Sequence, residues 1–219
     1  MYIAWGVFYE GPSDAAYFDV LIPRIIEELL QKYARRAVDF SPTPTVIFGR
    51  YGRSVEKVVP EICAARDAIH IAFIHADTGG RALETTMEAR SDAYCLRAQA
   101  ECGFQEEFCI CIRVRHETEA WALADPEAVR SALGFKGQLL IPENARAAER
   151  LTDPKAVLHE AVKHARGRRV QNRDVSRLLP IIAQNQKLEA MLASASFHAF
   201  HSDTERALVS LRAIETSNP

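Results

Sequence analysis

The chain has 219 residues, of which 48% are hydrophobic and 26% are charged, and its formal net charge is −2. These proportions are those of an ordinary globular protein, long enough for one compact domain with an appendage or for two small domains. The charge balance excludes a uniformly basic protein, although a local basic patch is enough to contact nucleic-acid phosphates. No apolar run approaches the roughly 20 residues that span a bilayer, and the N-terminus lacks the basic region of a signal peptide. We therefore predict a cytoplasmic protein without a membrane segment.

The first half of the chain alternates between segments typical of strands and segments typical of helices. Residues 2–9 form an apolar run that ends at a Gly-Pro pair, and 15–36 carries apolar residues at helical spacing. Further strands are predicted at 45–48, 69–74 and 108–114, and further helices at 54–67 and 81–101. This order predicts an α/β fold with a mainly parallel sheet of about four strands, flanked by helices on both faces.

The second half of the chain contains helical patterns and no convincing strand. The patterns are interrupted by Gly134, Gly137, Pro142, Pro154, Gly167 and Pro180. We interpret 1–118 as an α/β layer and 119–219 as a helical cap packed on it. A separately folding second domain is the alternative.

Five cysteines occur in the chain, and their pattern argues against a disulfide framework. Cys109 and Cys111 alternate along a predicted strand, while Cys95 and Cys102 are seven apart on a helical pattern, so each pair shares a face. The count is odd and no Cys-x-x-Cys pair is present. We interpret the cysteines as small core residues, with a zinc cluster of these four as the alternative.

Three of the predicted strands end in acidic residues. Glu10 follows the first strand, Asp77 follows the third, and Glu117 and Glu119 follow the fourth. Because ligands bind beyond the carboxyl ends of parallel strands, these carboxylates and Asp14 are expected to meet at one edge of the sheet. Clustered carboxylates repel one another unless a cation lies between them, and oxygen-rich sites suit Mg²⁺ or Mn²⁺. Singly, each acid has a structural interpretation, such as a helix cap or a turn; their coincidence favours a metal site.

These acids lie in motifs that resemble a domain-of-unknown-function family, number 4276. The motifs are Glu10-Gly11-Pro12-Ser13-Asp14, Asp77-Thr78-Gly79-Gly80, Glu117-Thr118-Glu119-Ala120-Trp121-Ala122-Leu123-Ala124-Asp125 and Asp153-Pro154-Lys155. The resemblance covers about residues 1–160. The family is similar to Toprim domains, the catalytic modules of topoisomerases, primases and the overcoming-lysogenization-defect (OLD) nucleases.

The resemblance implies a Toprim-like sheet and a phosphodiesterase that depends on Mg²⁺ or Mn²⁺. Glu10 would match the Toprim glutamate, which transfers protons or belongs to the metal shell, and Asp77 would belong to the aspartate pair that holds Mg²⁺. A Toprim pair reads Asp-x-Asp, whereas here one member is replaced, either the second by Gly79 or the first by His75. One metal-binding carboxylate is therefore missing from the pattern.

Glu117 or Glu119 could supply the missing oxygen, as an additional acid does in OLD-type nucleases. Residues two apart at a strand-to-helix junction need not share a face, so we expect only one to point at Asp77 while the other caps the helix. The resemblance favours Glu119 as the anchored catalytic acid, with Trp121 packing beneath it. His116 is a further candidate ligand or base, with a junction hydrogen bond as the alternative role.

Basic residues in three places are candidates for binding phosphate or nucleic acid. They are Arg50, Arg53, Arg81, Lys163, Arg166, Arg168 and Arg169. The last four form the densest positive run of the chain and could hold a nucleic-acid backbone over the acidic edge. The alternative is a solvated helix C-terminus that Gly167 ends.

Three functional hypotheses follow. The first is a Toprim-like phosphodiesterase or nuclease. By analogy with split ATPase–nuclease systems, it would work with a separately encoded ATPase in phage defence. The second is a catalytically impaired Toprim-like scaffold that binds a partner protein or nucleic acid without cleaving it. The third is an enzyme for a small nucleotide or phosphate ester, which would need a closed pocket.

Overall fold

The computed structural model describes residues 1–50, 52–76, 91–167 and 170–215. The strands in these ranges are β1 (Tyr2–Ile3), β2 (Trp5–Phe8), β3 (Asp39–Phe40), β4 (Val46–Phe48), β5 (Ile71–His75) and β6 (Cys109–Ile112). The helices between them are α1 (Pro12–Tyr33), α2 (Val55–Ala65) and α3 (Ala93–Cys102). A 3-10 helix, Glu106–Phe108, leads into β6.

The main sheet of the described chain is parallel throughout and has the strand order β4-β2-β5-β6. In its centre, Gly6 of β2 pairs with Val46 on one side and with Ala72 on the other, and Ile74 of β5 pairs with Cys111. A four-strand parallel sheet flanked by helices confirms the predicted fold class. The carboxyl ends of β2, β5 and β6 therefore lie along one edge.

The apolar run 2–9 divides into two strands where a single strand was predicted. β1 pairs with β3 in a separate two-stranded parallel ladder, whereas β2 joins the main sheet. Between them, the Ala4 N–H donates to Nδ1 of His70 at 3.0 Å and the His70 N–H donates to the Ala4 carbonyl at 2.8 Å. Because the Ala4 N–H donates to the imidazole, it is not available to the carbonyl of a neighbouring strand. The chain therefore pairs with β3 before Ala4 and joins the main sheet after it.

Alternate residues of the main strands feed two separate cores. The large core, which also contains α1 and most of the C-terminal helices, receives Trp5, Val7, Ile71, Phe73, Ile110 and Ile112. The small core, beneath α2 and α3, receives Phe8, Phe48, Ala72, Ile74, Cys109 and Cys111. This alternation is the two-residue period of a strand that is buried on both faces.

The C-terminal region is helical. Its helices are α4 (Glu119–Ala122), α5 (Pro126–Leu133), α6 (Ala145–Ala148), α7 (Pro154–Arg166), α8 (Asn172–Ser176), α9 (Leu179–Asn185), α10 (Leu188–Met191) and α11 (Ala195–Ser210). Asp125 and Asp153 cap the first turns of α5 and α7, and Gly134 and Gly167 end the same helices in the left-handed conformation. Within the described ranges, no helix is long and apolar enough to cross a membrane.

Polar groups buried beneath the C-terminal helices join them to α1. The Tyr17 hydroxyl donates to Oε1 of Gln186 at 2.7 Å, and Nε2 of Gln186 donates to the Trp121 carbonyl at 2.6 Å. Arg24 of α1 donates to the carbonyls of Ala183 and Gln186. Gln186 is 1% exposed and uses both ends of its amide, so this network fixes α4 and α9 relative to α1.

Four of the five cysteines are paired, which corrects the interpretation that they are free core residues. Cys63 of α2 is disulfide-bonded to Cys102 of α3, and Cys95 of α3 to Cys109 of β6, with Cα–Cα distances of 5.1 and 5.5 Å. Cys111 is free and buried. Spacing along the sequence did not reveal these pairs because each joins two different elements of the small core.

Candidate functional site

The candidate site lies along the edge where β2, β5 and β6 end. Glu10 follows β2 by two residues, Asp14 occupies the first turn of α1, and His75 is the last residue of β5. The segment 115–118 leaves β6 and leads into α4, which begins at Glu119. The crossovers of the parallel sheet therefore bring three separate chain segments to one edge.

Asp14 connects two of these segments. It is 4% exposed, and its Oδ2 accepts the Gly11 N–H at 2.8 Å, so it completes a capping box at the start of α1. Its Oδ1 accepts the Thr118 hydroxyl at 2.8 Å. The helix thus begins at Pro12 with Gly11 as N-cap. Asp14 links the residues after β2 to those after β6.

His75 lies beneath this link. Its side chain is 1% exposed, and Nδ1 lies 3.2 Å from the Ile112 carbonyl oxygen. Since a carbonyl can only accept, Nδ1 carries the proton in this contact. Nε2 lies 3.3 Å from the Thr118 hydroxyl and 3.8 Å from Oδ1 of Asp14. The imidazole therefore contacts the polar groups that join the edge.

Glu119 is the buried member of the acidic pair after β6. Its side chain is 5% exposed, while Glu117 is half-buried. Burial raises the pKa of the Glu119 carboxyl to about 7; its own backbone amide and Lys155 oppose the rise, and Glu117 and Asp14 add to it. A carboxyl with a pKa near neutrality can both hold and release a proton at physiological pH.

Glu119 faces a cavity of about 160 Å³ between the sheet edge and the C-terminal helices. The cavity is lined by Ser13, Glu119, Lys155, His159, Asn172, Val175 and Ser176. Lys155 and His159 are four residues apart on α7, so both point from one face of the helix. The two residues place a cation and an imidazole beside the acid with the raised pKa.

Glu10 lies in a different cavity, of about 180 Å³. The residues around it are Phe8, Glu10, Arg53, Ala76 and Tyr94. Arg53 is exposed on the loop before α2, and its carbonyl accepts the Tyr94 hydroxyl at 2.5 Å. An acid and an exposed guanidinium therefore share the mouth of this cavity, an arrangement suited to a phosphate beside a proton-transfer group.

The described residues do not by themselves complete a metal site. Among them, no three His, Cys, Asp or Glu side chains are arranged to hold one ion. Glu10 and Glu119 line separate cavities, and both oxygens of Asp14 accept hydrogen bonds. Asp77 lies outside the described residues. A Mg²⁺ ion at this edge would need a further carboxylate, for which Asp77 is the candidate.

His116 has a left-handed backbone, with φ at 69°. This conformation is uncommon for a residue other than glycine and occurs most often for asparagine, aspartate and histidine. It turns the chain sharply between β6 and α4. The turn directs Thr118 and Glu119 back toward α1, so His116 contributes to the site through its backbone.

The predicted basic residues are dispersed. Arg50 and Arg53 are exposed on the loop after β4. At the end of α7, Lys163 pairs with Glu160 at 3.1 Å and Arg166 pairs with Asp174 at 3.1 Å. Arg81, Arg168 and Arg169 lie outside the described residues. Within the described part, Lys155 lies beside Glu119 and Arg53 lies beside Glu10.

Sequence reasoning did not assign Lys155 and His159 to the site. A usable signal was present, because the two are four apart and follow the Asp-Pro start of α7. The roles of Asp14 and Thr118 as a link between segments carry no local signal. Comparisons of the chain with protein-family models, with curated proteins and with solved structures give no significant match.

Proposed function

We propose that the chain is a Toprim-like phosphodiesterase, most simply a nuclease, that depends on Mg²⁺ or Mn²⁺. The observation that carries the proposal is the edge itself, where acids from two crossovers of a parallel sheet are joined by the Asp14–Thr118 hydrogen bond. Ligands of open α/β sheets bind at such an edge. The buried Glu119, with a pKa of about 7, adds a group suited to proton transfer there.

The described residues would take part in the reaction from two cavities, one containing Glu119 and the other Glu10. Lys155 would bind a phosphate oxygen, and Glu119 would exchange a proton with the attacking water or the leaving hydroxyl. On the other side, Arg53 would hold a neighbouring phosphate beside Glu10. Asp14 and Thr118 would keep the two sides in a fixed relation, since their hydrogen bond is buried.

The metal ion is part of the proposal, although the described residues do not complete its coordination. When bound, such an ion would polarise the scissile phosphate. The residues assigned to it are Glu10, Asp77, Glu117 and Glu119, of which Asp77 lies outside the described chain. A separately encoded ATPase as partner and a role in phage defence belong to the same proposal and rest on the sequence resemblance. A cytoplasmic location is proposed as well, and it rests on the sequence patterns described in the sequence analysis.

The test is metal-dependent cleavage by the purified chain. Plasmid and oligonucleotide substrates are incubated with increasing Mg²⁺ or Mn²⁺, and products are resolved on gels. We expect cleavage that disappears in Glu10→Ala, Asp77→Ala and Glu119→Gln and persists in Glu143→Gln, an exposed acid far along the chain. Absence of cleavage under every metal condition, or equal cleavage by all four variants, would overturn the proposal.

A second candidate function is favoured by one observation, the identity of His75. If Asp77 is the second aspartate of the Toprim pair, the first would stand at position 75. That position here holds a buried histidine that is hydrogen-bonded to the Ile112 carbonyl. A chain without that acid would act as a scaffold that binds nucleic acid or a partner without cleaving it. Fluorescence anisotropy with the same oligonucleotides distinguishes the two, because a scaffold binds but yields no product.

A further inference from the structure

A cluster of three sulfur atoms lies on the opposite face of the sheet from α1. It consists of Cys95 on α3 and of Cys109 and Cys111 on β6, and we call it the sulfur cluster. Cys95 and Cys109 form a disulfide, and the free thiol Sγ of Cys111 lies 3.4 Å from Sγ of Cys95. The sequence indicated that Cys109 and Cys111 share a strand face, and α3 crosses over that face.

A cavity of about 400 Å³ opens onto this cluster. Besides the three cysteines, its charged lining residues are Asp92, Glu106, Glu107, Arg113, Asp203 and Arg206. Each cysteine is less than 10% exposed, yet all three line the cavity. A small thiol reagent therefore has a route to sulfurs that are otherwise covered.

We propose that the sulfur cluster is a thiol–disulfide exchange site, in which Cys111 replaces Cys109 as the disulfide partner of Cys95. A free thiol in contact with a disulfide sulfur is the arrangement that this reaction requires. Cys111 is the free cysteine of the chain, and the other four form the two disulfides. The proposed exchange does not involve the second disulfide, Cys63–Cys102. It therefore serves as an internal control.

The step is balanced without any external oxidant or reductant. The Cys111 thiol gives up its proton, and the thiolate attacks Sγ of Cys95. The Cys95–Cys111 bond forms while the Cys95–Cys109 bond breaks, and Cys109 leaves as a thiolate that takes up a proton. One disulfide and one thiol are present before and after, so the protein is isomerised and its oxidation state is unchanged.

The groups around Cys111 control the rate of this step. Burial and then Asp92 raise the pKa of the Cys111 thiol, Arg113 opposes the rise, and Asp203 adds to it. Arg113 holds the Asp92 carboxylate through Nε at 3.1 Å. Because little thiolate is present at neutral pH, the exchange is slow there and accelerates by roughly tenfold per pH unit.

Mapping the disulfides by mass spectrometry tests the proposal. The full chain, purified without reductant, is incubated at mildly alkaline pH with and without N-ethylmaleimide, quenched in acid and digested with pepsin. We expect a peptide that links Cys95 to Cys111, or maleimide on Cys109, and both are absent from Cys111→Ser. Substitution Asp92→Asn should change the rate while leaving the products the same.

Two outcomes would overturn the proposal. In the first, Cys95 is found linked only to Cys109, and Cys109 carries no maleimide at any time or pH. This result would show that the sulfurs do not exchange. The other is maleimide on Cys95 in the chain as purified, which would show that no disulfide is there to exchange. The Cys63–Cys102 peptide should remain constant throughout, and its loss would indicate unfolding.

Discussion

The two faces of the sheet are covered in different ways. The face toward α1 is packed with aromatic side chains, among which the Trp121 ring lies 5.9 Å from that of Phe18 and 5.5 Å from that of Phe200, measured between centroids. The face toward α2 and α3 has a much smaller core, and both disulfides lie on it. A large apolar core stabilises one face by burial, whereas covalent links supplement the other, where less apolar surface is available.

The largest effect is expected from the aromatic core. Trp121 is 1% exposed and contacts Phe18, Phe197 and Phe200, so Trp121→Ala should lower the free energy of unfolding by about 3–5 kcal/mol. Urea denaturation measures this loss. Leu140→Ala, at a side chain that is 88% exposed, should change it by less than about 0.5 kcal/mol. If reduction of the disulfides altered the Trp121 effect substantially, the two faces would not be independent.

Removal of the disulfides should weaken the other face. The Cys63–Cys102 link spans 39 residues and the Cys95–Cys109 link spans 14, so chain entropy predicts losses of about 4 and about 3 kcal/mol. Double serine variants of each pair, compared by urea denaturation, measure the two losses. A greater loss from the shorter link would show that local packing of the sulfurs matters more than loop length.

At the edge shared by both faces, Glu119 should make stability depend on pH. Its pKa is about 7 in the folded protein and 4.5 as an ordinary carboxyl, so the folded state binds the proton more tightly. The associated stability is fully present below pH 4.5 and is lost as the pH rises through 7. The ionised carboxylate then costs up to about 3 kcal/mol.

Substitution Glu119→Gln should therefore raise the free energy of unfolding at about pH 8 and leave it unchanged at about pH 4. Glu143→Gln is the matched exposed control. A stabilised variant that also loses the proposed nuclease activity is the combination expected of a functional residue. If the difference between Glu119→Gln and the original chain were the same at both pH values, the buried-acid interpretation would be wrong.

The smallest effect concerns the hydrogen bond that joins the two crossovers. Thr118→Val removes the hydroxyl that Asp14 accepts at 2.8 Å and should lower the free energy of unfolding by about 1–3 kcal/mol. Thr118→Ser keeps the hydroxyl and should lose less than the valine variant. Equal losses in both variants would indicate that the threonine methyl, and not the hydrogen bond, stabilises the junction.

The sequence by itself determined the order of elements and the fold class. Apolar runs and helical spacing are local patterns, and the βα alternation leaves few topologies, so the parallel sheet followed from them. The sequence also predicted correctly that Glu10 and the segment 117–119 each follow a strand. The helix breaks at Gly134 and Gly167 were predicted as well, because a left-handed residue at a helix end favours glycine.

Only the tertiary structure decided which groups meet. It buried Glu119 and left Glu117 partly exposed, placed Lys155 and His159 beside the acid, and joined Asp14 to Thr118 across 104 residues of chain. It also paired the cysteines. None of these contacts has a local signature in the sequence, because each depends on how separate crossovers pack. The burial of Glu119 and the resulting shift of its pKa arise only once the core has formed.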